Sequence, residues 1–195
     1  MDTKDEPEVL VVPDAAAWRE WLDANEGGND GVWLLLAKKG VTTPTSLSYA
    51  QALDEALCSG WIDGQNKGID DQTYRQRFTP RRARSIWSAR NVTHIERLTT
   101  EGRMRERGLA EVQRAKADGR WDAAYAGQAS IQVPDDLSVA LDQKPAARRT
   151  FDALNATNRY AVLHRVVTAR TQPTRERRIE KFVEMLARGE SIYPQ

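Results

Sequence analysis

Apolar residues fill almost every position of Val32–Lys38 (VWLLLAK), the pattern of a strand covered on both faces and therefore central in its sheet. Ahead of it, Glu8–Val12 (EVLVV) predicts a short strand stopped by Pro13. Asp14 then caps a helix over Ala15–Asn25, where Trp18, Trp21 and Leu22 recur at i, i+3 and i+4. Gly27–Gly28 ends that helix, and Gly40–Leu47 is a polar loop. Ser48-Tyr-Ala-Gln51 has capping-box form, a hydroxyl taking an orphan N–H while the amide three residues on reaches back. The helix it opens shows Tyr49, Leu53, Ala56 and Leu57 on one face and stops at Gly60.

Trp61–Lys67 and Thr73–Thr79 read as a hairpin. Opposed residues share a face, so the register that sets Ile62 against Phe78 is expected. It also brings Asp63 to Arg77, Gln65 to Arg75 and Trp61 to Thr79, with opposite charges paired. Trp33, Leu35, Leu53, Leu57 and Ile62 are the expected core.

Beyond Pro80, Arg81–Trp87 is a basic loop, and Ser88 or Asn91 caps a helix along Val92, Ile95 and Thr99. Gly108–Asp118 is a further helix closed by Gly119, with Trp121 and Tyr125 as core anchors after it. Ala126–Val133 lacks either period and reads as a linker. After Pro134 only the helical period remains: Leu137/Ala140/Leu141, Ala147/Phe151/Leu154, Tyr160/Leu163/Val167 and, past a break at Pro173, Ile179/Phe182/Val183/Leu186. The class is α+β. A small, mostly antiparallel sheet packs with helices over residues 1–125, a linker covers 126–133, and an all-helical segment covers 134–195.

Charge changes this picture in one respect. The net charge is +1, yet residues 1–73 carry five Lys/Arg against fourteen Asp/Glu, while residues 74–107 carry ten Arg against three Glu. The simplest use of such polarity is internal pairing, and an external anion is the second. Cys58 is the single cysteine, which excludes a disulfide framework and a cysteine-based zinc site. The polar start (MDTKDEPE) lacks the apolar core of a secretory signal, and no run approaches the roughly 18 apolar residues of a membrane span, so a soluble cytoplasmic protein without membrane partners is expected.

No GxSxG, HExxH, phosphate-loop or GxGxxG motif is present, so composition and spacing name no catalytic residue, metal site or cofactor. Asp63-x-Gln65-x-Lys67-Gly68 fails as a calcium loop because Lys67 stands where an oxygen ligand is needed. Asp70 and Asp71 read as turn residues, His94 and His164 as structural histidines, and Cys58 as a buried apolar residue. The chemistry concentrates in Cys58–Asn91. There, arginines that bind carboxylate or phosphate bidentately are interleaved with aromatic rings and precede a helix start. Three readings follow: glue between the acidic and basic halves, a site for an anionic small molecule or acidic peptide, or a nucleic-acid surface. The last is weakened by the acids that interrupt the later arginines.

WIDG (Trp61–Gly64), RFTPRR (Arg77–Arg82) and SIWSARN (Ser85–Asn91) resemble the central signature of the bacterial YdeI/OmpD-associated, or bacteriocin-protection, family. SYAQALDEALCSGWIDG (Ser48–Gly64), AKADGRWDAAY (Ala115–Tyr125) and TRERRIEKFVEML (Thr174–Leu186) extend the resemblance over about Asp14–Gly189. It implies no reaction, cofactor or catalytic residue. The family's name implies protection against antimicrobial peptides or association with an outer-membrane porin, and the latter requires an export that the polar start does not support. The reading reached is a non-enzymatic cytoplasmic stress or resistance protein. Its pocket for an anion or acidic ligand would be lined by Trp61, Asp63, Arg77, Arg81, Ser85, Trp87 and Asn91. The alternatives are a nucleic-acid-binding module on the arginine-rich surface and an uncharacterised enzyme using Cys58 or Asp63.

Overall fold

The structure, a computed structural model, describes residues 8–25, 28 and 30–195. The polar arm expected at the start, apart from Glu8, and the helix stop at Gly27 lie outside them. A short strand β1 (Val9–Leu10) leads into α1 (Ala15–Ala24), whose cap is Asp14, its carboxylate accepting from Ala17 N at 3.0 Å. Strand β2 (Val32–Ala37) follows, then α2 (Tyr49–Cys58), opened by the capping box of Ser48 and Gln51. The hairpin strands are β3 (Trp61–Gly68) and β4 (Thr73–Pro80), and helices α3 (Ala89–Thr100) and α4 (Glu106–Ala117) come next. Helices α5 (Asp135–Asp142), α6 (Pro145–Asp152), α7 (Ala156–Val167) and α8 (Gln172–Ala187) complete the chain. The strands form one sheet of order β1-β2-β4-β3, parallel only between β1 and β2, so the α+β class holds and β2 is central as its pattern requires.

The chain divides into two compact units. One runs to Ser85 and resumes over Asn91–Asp122; the other comprises Ile86–Arg90 and Ala123–Gln195. In the first, one face of the sheet is the core floor. Leu34 and Leu36 of β2, Phe78 of β4 and Trp61 of β3 pack with Trp18 and Leu22 of α1 and Ala52 and Ala56 of α2. Trp18 stacks on Trp21 at 5.2 Å and meets Trp61 edge-on at 6.4 Å and Phe78 at 5.6 Å. Its indole N–H donates to Ala52 O at 3.1 Å, which satisfies the one polar atom that the burial of Trp18 would otherwise strand.

The hairpin register departs from expectation by one residue. Trp61 pairs with Pro80, Ile62 with Thr79 and Asp63 with Phe78. Trp61 therefore shares the core face with Phe78 and is fully buried, whereas Ile62 turns away and is half-buried. An indole removes more apolar surface from water than a branched aliphatic side chain, so the register that buries Trp61 wins over the one that buries Ile62. A bulge at Gly64–Gln65 moves the register one residue further, so that Lys67 and not Gln65 faces Arg75, and Gln76 Nε2 donates to both bulge carbonyls at 2.8 and 3.2 Å. Of the expected core, Leu35, Leu53 and Leu57 are buried, but Trp33 is only half-buried, under the Arg75 guanidinium at 5.2 Å from its ring. Asn91 lies inside α3 rather than at its cap, and Trp121 and Tyr125 are half-buried.

After Pro134 the second unit is helical, as the periodicity predicts. Leu137, Leu141, Phe151, Leu163, Phe182 and Leu186 share one core. Thr171 caps α8 by accepting from Thr174 N, and Pro173 occupies the first turn, where a missing N–H costs nothing.

In the first unit, α4 crosses the end of α2 at a distance only glycine allows. A Cβ on Gly108 would lie 2.1 Å from Cys58 O. Gly108→Ala gains about 1 kcal/mol of helix propensity against an overpacking cost of about 1–3 kcal/mol or more. A backbone oxygen is the obstacle, so the overpacking dominates and a denaturant melt should show net destabilisation. An unchanged or raised midpoint would mean α4 does not pack on α2 this closely.

Candidate functional site

The one-residue register difference dismantles part of the expected pocket. Asp63 shares the core face with Trp61 and accepts from the Tyr49 hydroxyl at 2.8 Å. Arg77, adjacent to Phe78 in β4, turns to the opposite face, where it pairs with Trp33 across the sheet and reaches Asp30 O at 3.4 Å. The expected Asp63–Arg77 partnership therefore does not form. Arg81 is buried at the strand end, its backbone N–H donating to Gly60 O at 3.0 Å. Ser85 closes a turn, its hydroxyl accepting from Arg82 N at 3.0 Å and its carbonyl from Arg120 at 2.8 Å. Asn91 is buried on α3. Trp87, also buried, belongs to the second unit, where its carbonyl accepts from Tyr125 N at 3.0 Å.

Three of the ten arginines in residues 74–107 serve as glue within the first unit. Arg97 holds both oxygens of Asp54 at 2.6 and 2.7 Å, and His94 Nδ1 lies 3.2 Å from the same carboxylate. Arg103 meets Glu55 at 2.7 Å, and Arg105 meets it at 2.6 Å while donating to Glu55 O and Ser59 Oγ. Arg105 also lies 2.9 Å from Asp23 of α1. Asp54 and Glu55 are the residues that sequence reading missed. The signal was an adjacent acid pair in the middle of an otherwise apolar helix.

This cluster bears on Cys58. Burial, and then the Glu55 charge, push its thiol up to about 11, so at neutral pH it is a thiol and not a nucleophilic thiolate. The two neighbouring arginines act in the opposite sense but are already committed to carboxylates.

A hollow of about 500 Å³ opens elsewhere in the first unit, lined by Lys38 and Lys39 after β2, Ser46 and Ser48 before α2, Tyr49 in its first turn and Tyr74 of β4. Its walls carry two ammonium groups, the Tyr74 phenol and the α2 N-terminus, and no carboxylate, while the Ser46, Ser48 and Tyr49 hydroxyls donate within the fold to Pro13 O, Gln51 Oε1 and Asp63. Lys38 is positioned by donating to Asp70 O at 2.7 Å. Asp70 is the turn residue its sequence context predicts. Its side chain accepts from Gln72 N and Thr73 N, bonds that hold its carboxyl below the usual range. Burial raises the Tyr74 phenol, which keeps it a neutral donor. Such a set can hold an anion by charge and hydrogen bonds, and it contains no nucleophile–base pair.

In the second unit, His164 lies between Tyr125, edge-on at 4.6 Å, and Tyr160 at 5.4 Å. Burial, then the fields of Arg165 and Arg178, lower its pKa. The structure makes it a packed neutral imidazole, as its position on the Tyr160/Leu163 face predicts.

Residues 10–111 match the family described as a domain of unknown function (DUF8412), and residues 130–189 match the family described as Bacteriocin-protection, YdeI or OmpD-Associated. WIDG, RFTPRR and SIWSARN fall in the first match and TRERRIEKFVEML in the second. No curated protein and no solved structure matches the chain.

Two outcomes follow from these networks. Arg105→Met strands one oxygen of Glu55 but leaves the other on Arg103. The cost should be about 1–3 kcal/mol, short of the roughly 3–5 kcal/mol for breaking an isolated buried pair, as a denaturant melt would read. A neutral result would show that Arg105 is a solvated bystander. For His164 the folded pKa lies below the unfolded value of about 6.5, so the unfolded chain binds more protons between the two. Stability present above that value is lost as pH falls below it, and His164→Gln should flatten the slope. An identical slope in the variant would assign the pH dependence elsewhere.

Proposed function

For a chain that belongs to the family of unknown function matched over residues 10–111, and whose residues 130–189 match the YdeI/OmpD-associated, bacteriocin-protection family, we propose a binding role without catalysis. Its ligand is an anionic small molecule or acidic peptide, held at the Lys38/Lys39 hollow. One observation carries the reading. The hollow is walled by two lysines, the Tyr74 phenol and a helix N-terminus, with no acid among the lining residues. Its volume of about 500 Å³ is in the ordinary range for small-ligand sites. The name of the family matched over residues 130–189 supports a protective role, and the cytoplasm is the setting we propose for it. The nucleic-acid reading is weakened because Arg97, Arg103 and Arg105 are tied to Asp54 and Glu55. A Cys58 enzyme is weakened by the thiol's burial.

The test is an NMR titration of the full chain with inorganic pyrophosphate and, separately, with a tetraglutamate peptide. Saturable shifts at the amides of Lys39, Tyr49 and Ala50 are expected. They should weaken at least about tenfold, the equivalent of 1.4 kcal/mol, in Lys38→Met/Lys39→Met. Both lysines are exposed, so the fold should persist. No saturable response to either probe, or an undiminished one in the double variant, would defeat the reading.

A further inference from the structure

The second unit carries twelve Lys/Arg against eight Asp/Glu, so its acids have cations to spare. Several use them: Asp136 is held by Arg175 at 2.6 and 2.9 Å, Asp142 by Arg148 at 2.7 Å and Glu190 by Arg188 at 2.9 Å. Glu176, Glu180 and Glu184 do not. They stand at i, i+4 and i+8 on α8, and none forms an ion pair within 4.0 Å among the described residues. Like charges one helical turn apart repel, a cost only partly offset inside the unit, where Arg188 feels the charge of Glu184 and Gln172 donates to Glu176 at 2.9 Å.

The row borders a groove. Between α5 and α8 lies an open hollow of about 550 Å³ whose floor is Ala140, Ile179 and Val183 and whose α8 wall carries Glu176 and Glu180. Lys144 stands on the opposite wall at the start of α6, and the Arg175–Asp136 pair closes one end. The two walls are regular helical faces. Asp136, Ala140 and Gln143 recur at i, i+4 and i+7, and Gln172, Glu176, Ile179 and Val183 at i, i+4, i+7 and i+11.

We propose that this groove docks a basic amphipathic peptide segment. The segment's apolar side chains lie on Ala140, Ile179 and Val183, and its Lys or Arg side chains extend along the Glu176–Glu180–Glu184 row. An amphipathic helix laid in such a groove presents anchors at i, i+3/i+4 and i+7, the same period as the walls. Lys144 faces the opposite side of the guest, so a peptide with its cations on one edge only fits better than one charged all round. Long cationic side chains suit the wall because their methylene stems cover apolar surface while their heads reach the carboxylates. The inference does not depend on the anion hollow of the first unit.

The experiment uses the full chain and a fluorescein-labelled 14-residue Lys/Leu peptide of amphipathic helical pattern, read by anisotropy. Controls are a scrambled peptide of equal charge without amphipathicity and a Glu/Leu peptide of the same pattern. Saturable one-to-one binding of the Lys/Leu peptide is expected, at least tenfold tighter than the scrambled control and absent for the Glu/Leu peptide. Glu176→Gln/Glu180→Gln/Glu184→Gln should weaken it tenfold or more, and Ala140→Gln, which fills the floor, should do so without changing charge. All four positions are on helices and the three glutamates are exposed, so unaltered thermal melts are expected to accompany both losses. Equal affinity for the scrambled peptide, insensitivity to either variant, or groove-dependent self-association in sedimentation velocity would overturn the proposal. The last result would make a second copy the occupant.

Discussion

The burial of Trp61 fixes the arrangement of the first unit. Its indole is enclosed by Trp18, Trp21 and Phe78, at ring distances of 6.4 Å to Trp18 and 5.8 Å to Trp21. Because a strand alternates faces, placing one side chain inward fixes every other in β3 up to the bulge. Asp63 is thereby directed toward Tyr49, Ile62 away from the core, and Pro80 brought opposite Trp61. The neighbouring Gly60 has φ +75° and lies where a Cβ would be 3.2 Å from Arg107 O. Glycine thus satisfies both the turn out of α2 and the close passage of α4. One aromatic side chain and one glycine together set how helix, hairpin and α4 meet.

Part of the charge asymmetry of the sequence resolves inside that frame. Asp54 and Glu55 lie on a helix whose other positions are mostly apolar, and three arginines and a histidine converge on them from α3 and the loop that precedes α4. A cluster of this kind adds less stability than its short distances suggest, because each partly buried charge is first desolvated. Its geometry, however, admits few alternatives. Arg105 contacts Glu55, Ser59 and Asp23 together, and that set of partners specifies where the chain leading into α4 must lie relative to both α1 and α2.

What the sequence made legible follows the range of the interaction. The Asp14 cap, the Ser48–Gln51 capping box and the Asp70 turn each depend on residues within three positions, and each is where its pattern puts it. The central position of β2 was readable because its apolar run has no polar face to expose. The hairpin register was not, since it is decided by Trp61 against a helix forty residues earlier. The expected partnership of Asp63 with Arg77 fell with it. The Lys38/Lys39 hollow was hidden for a related reason: its walls come from the end of β2, the approach to α2 and one residue of β4, none of which carries a motif.

The chemistry of the two cationic side chains accounts for why the arginine-rich stretch drew attention while the lysines did not. A guanidinium is weakly hydrated and presents a planar fork that fits a carboxylate, so it suits partly buried pairs such as Arg97 with Asp54. An ammonium holds its water strongly and suits an exposed rim, where Lys38 and Lys39 stand. Arginine density is then a poor guide to an external anion in a chain that also carries a dense acidic half, because arginine is the better partner for those acids. On the reading proposed above, the lysines of a hollow with no carboxylate among its lining residues are the cations that serve an outside anion. The same logic with the sign reversed applies to the glutamate row of α8, where acids form no ion pair within 4.0 Å among the described residues of a unit rich in arginine. Net charge, close to zero here, records neither; what matters is which charges the fold has already neutralised.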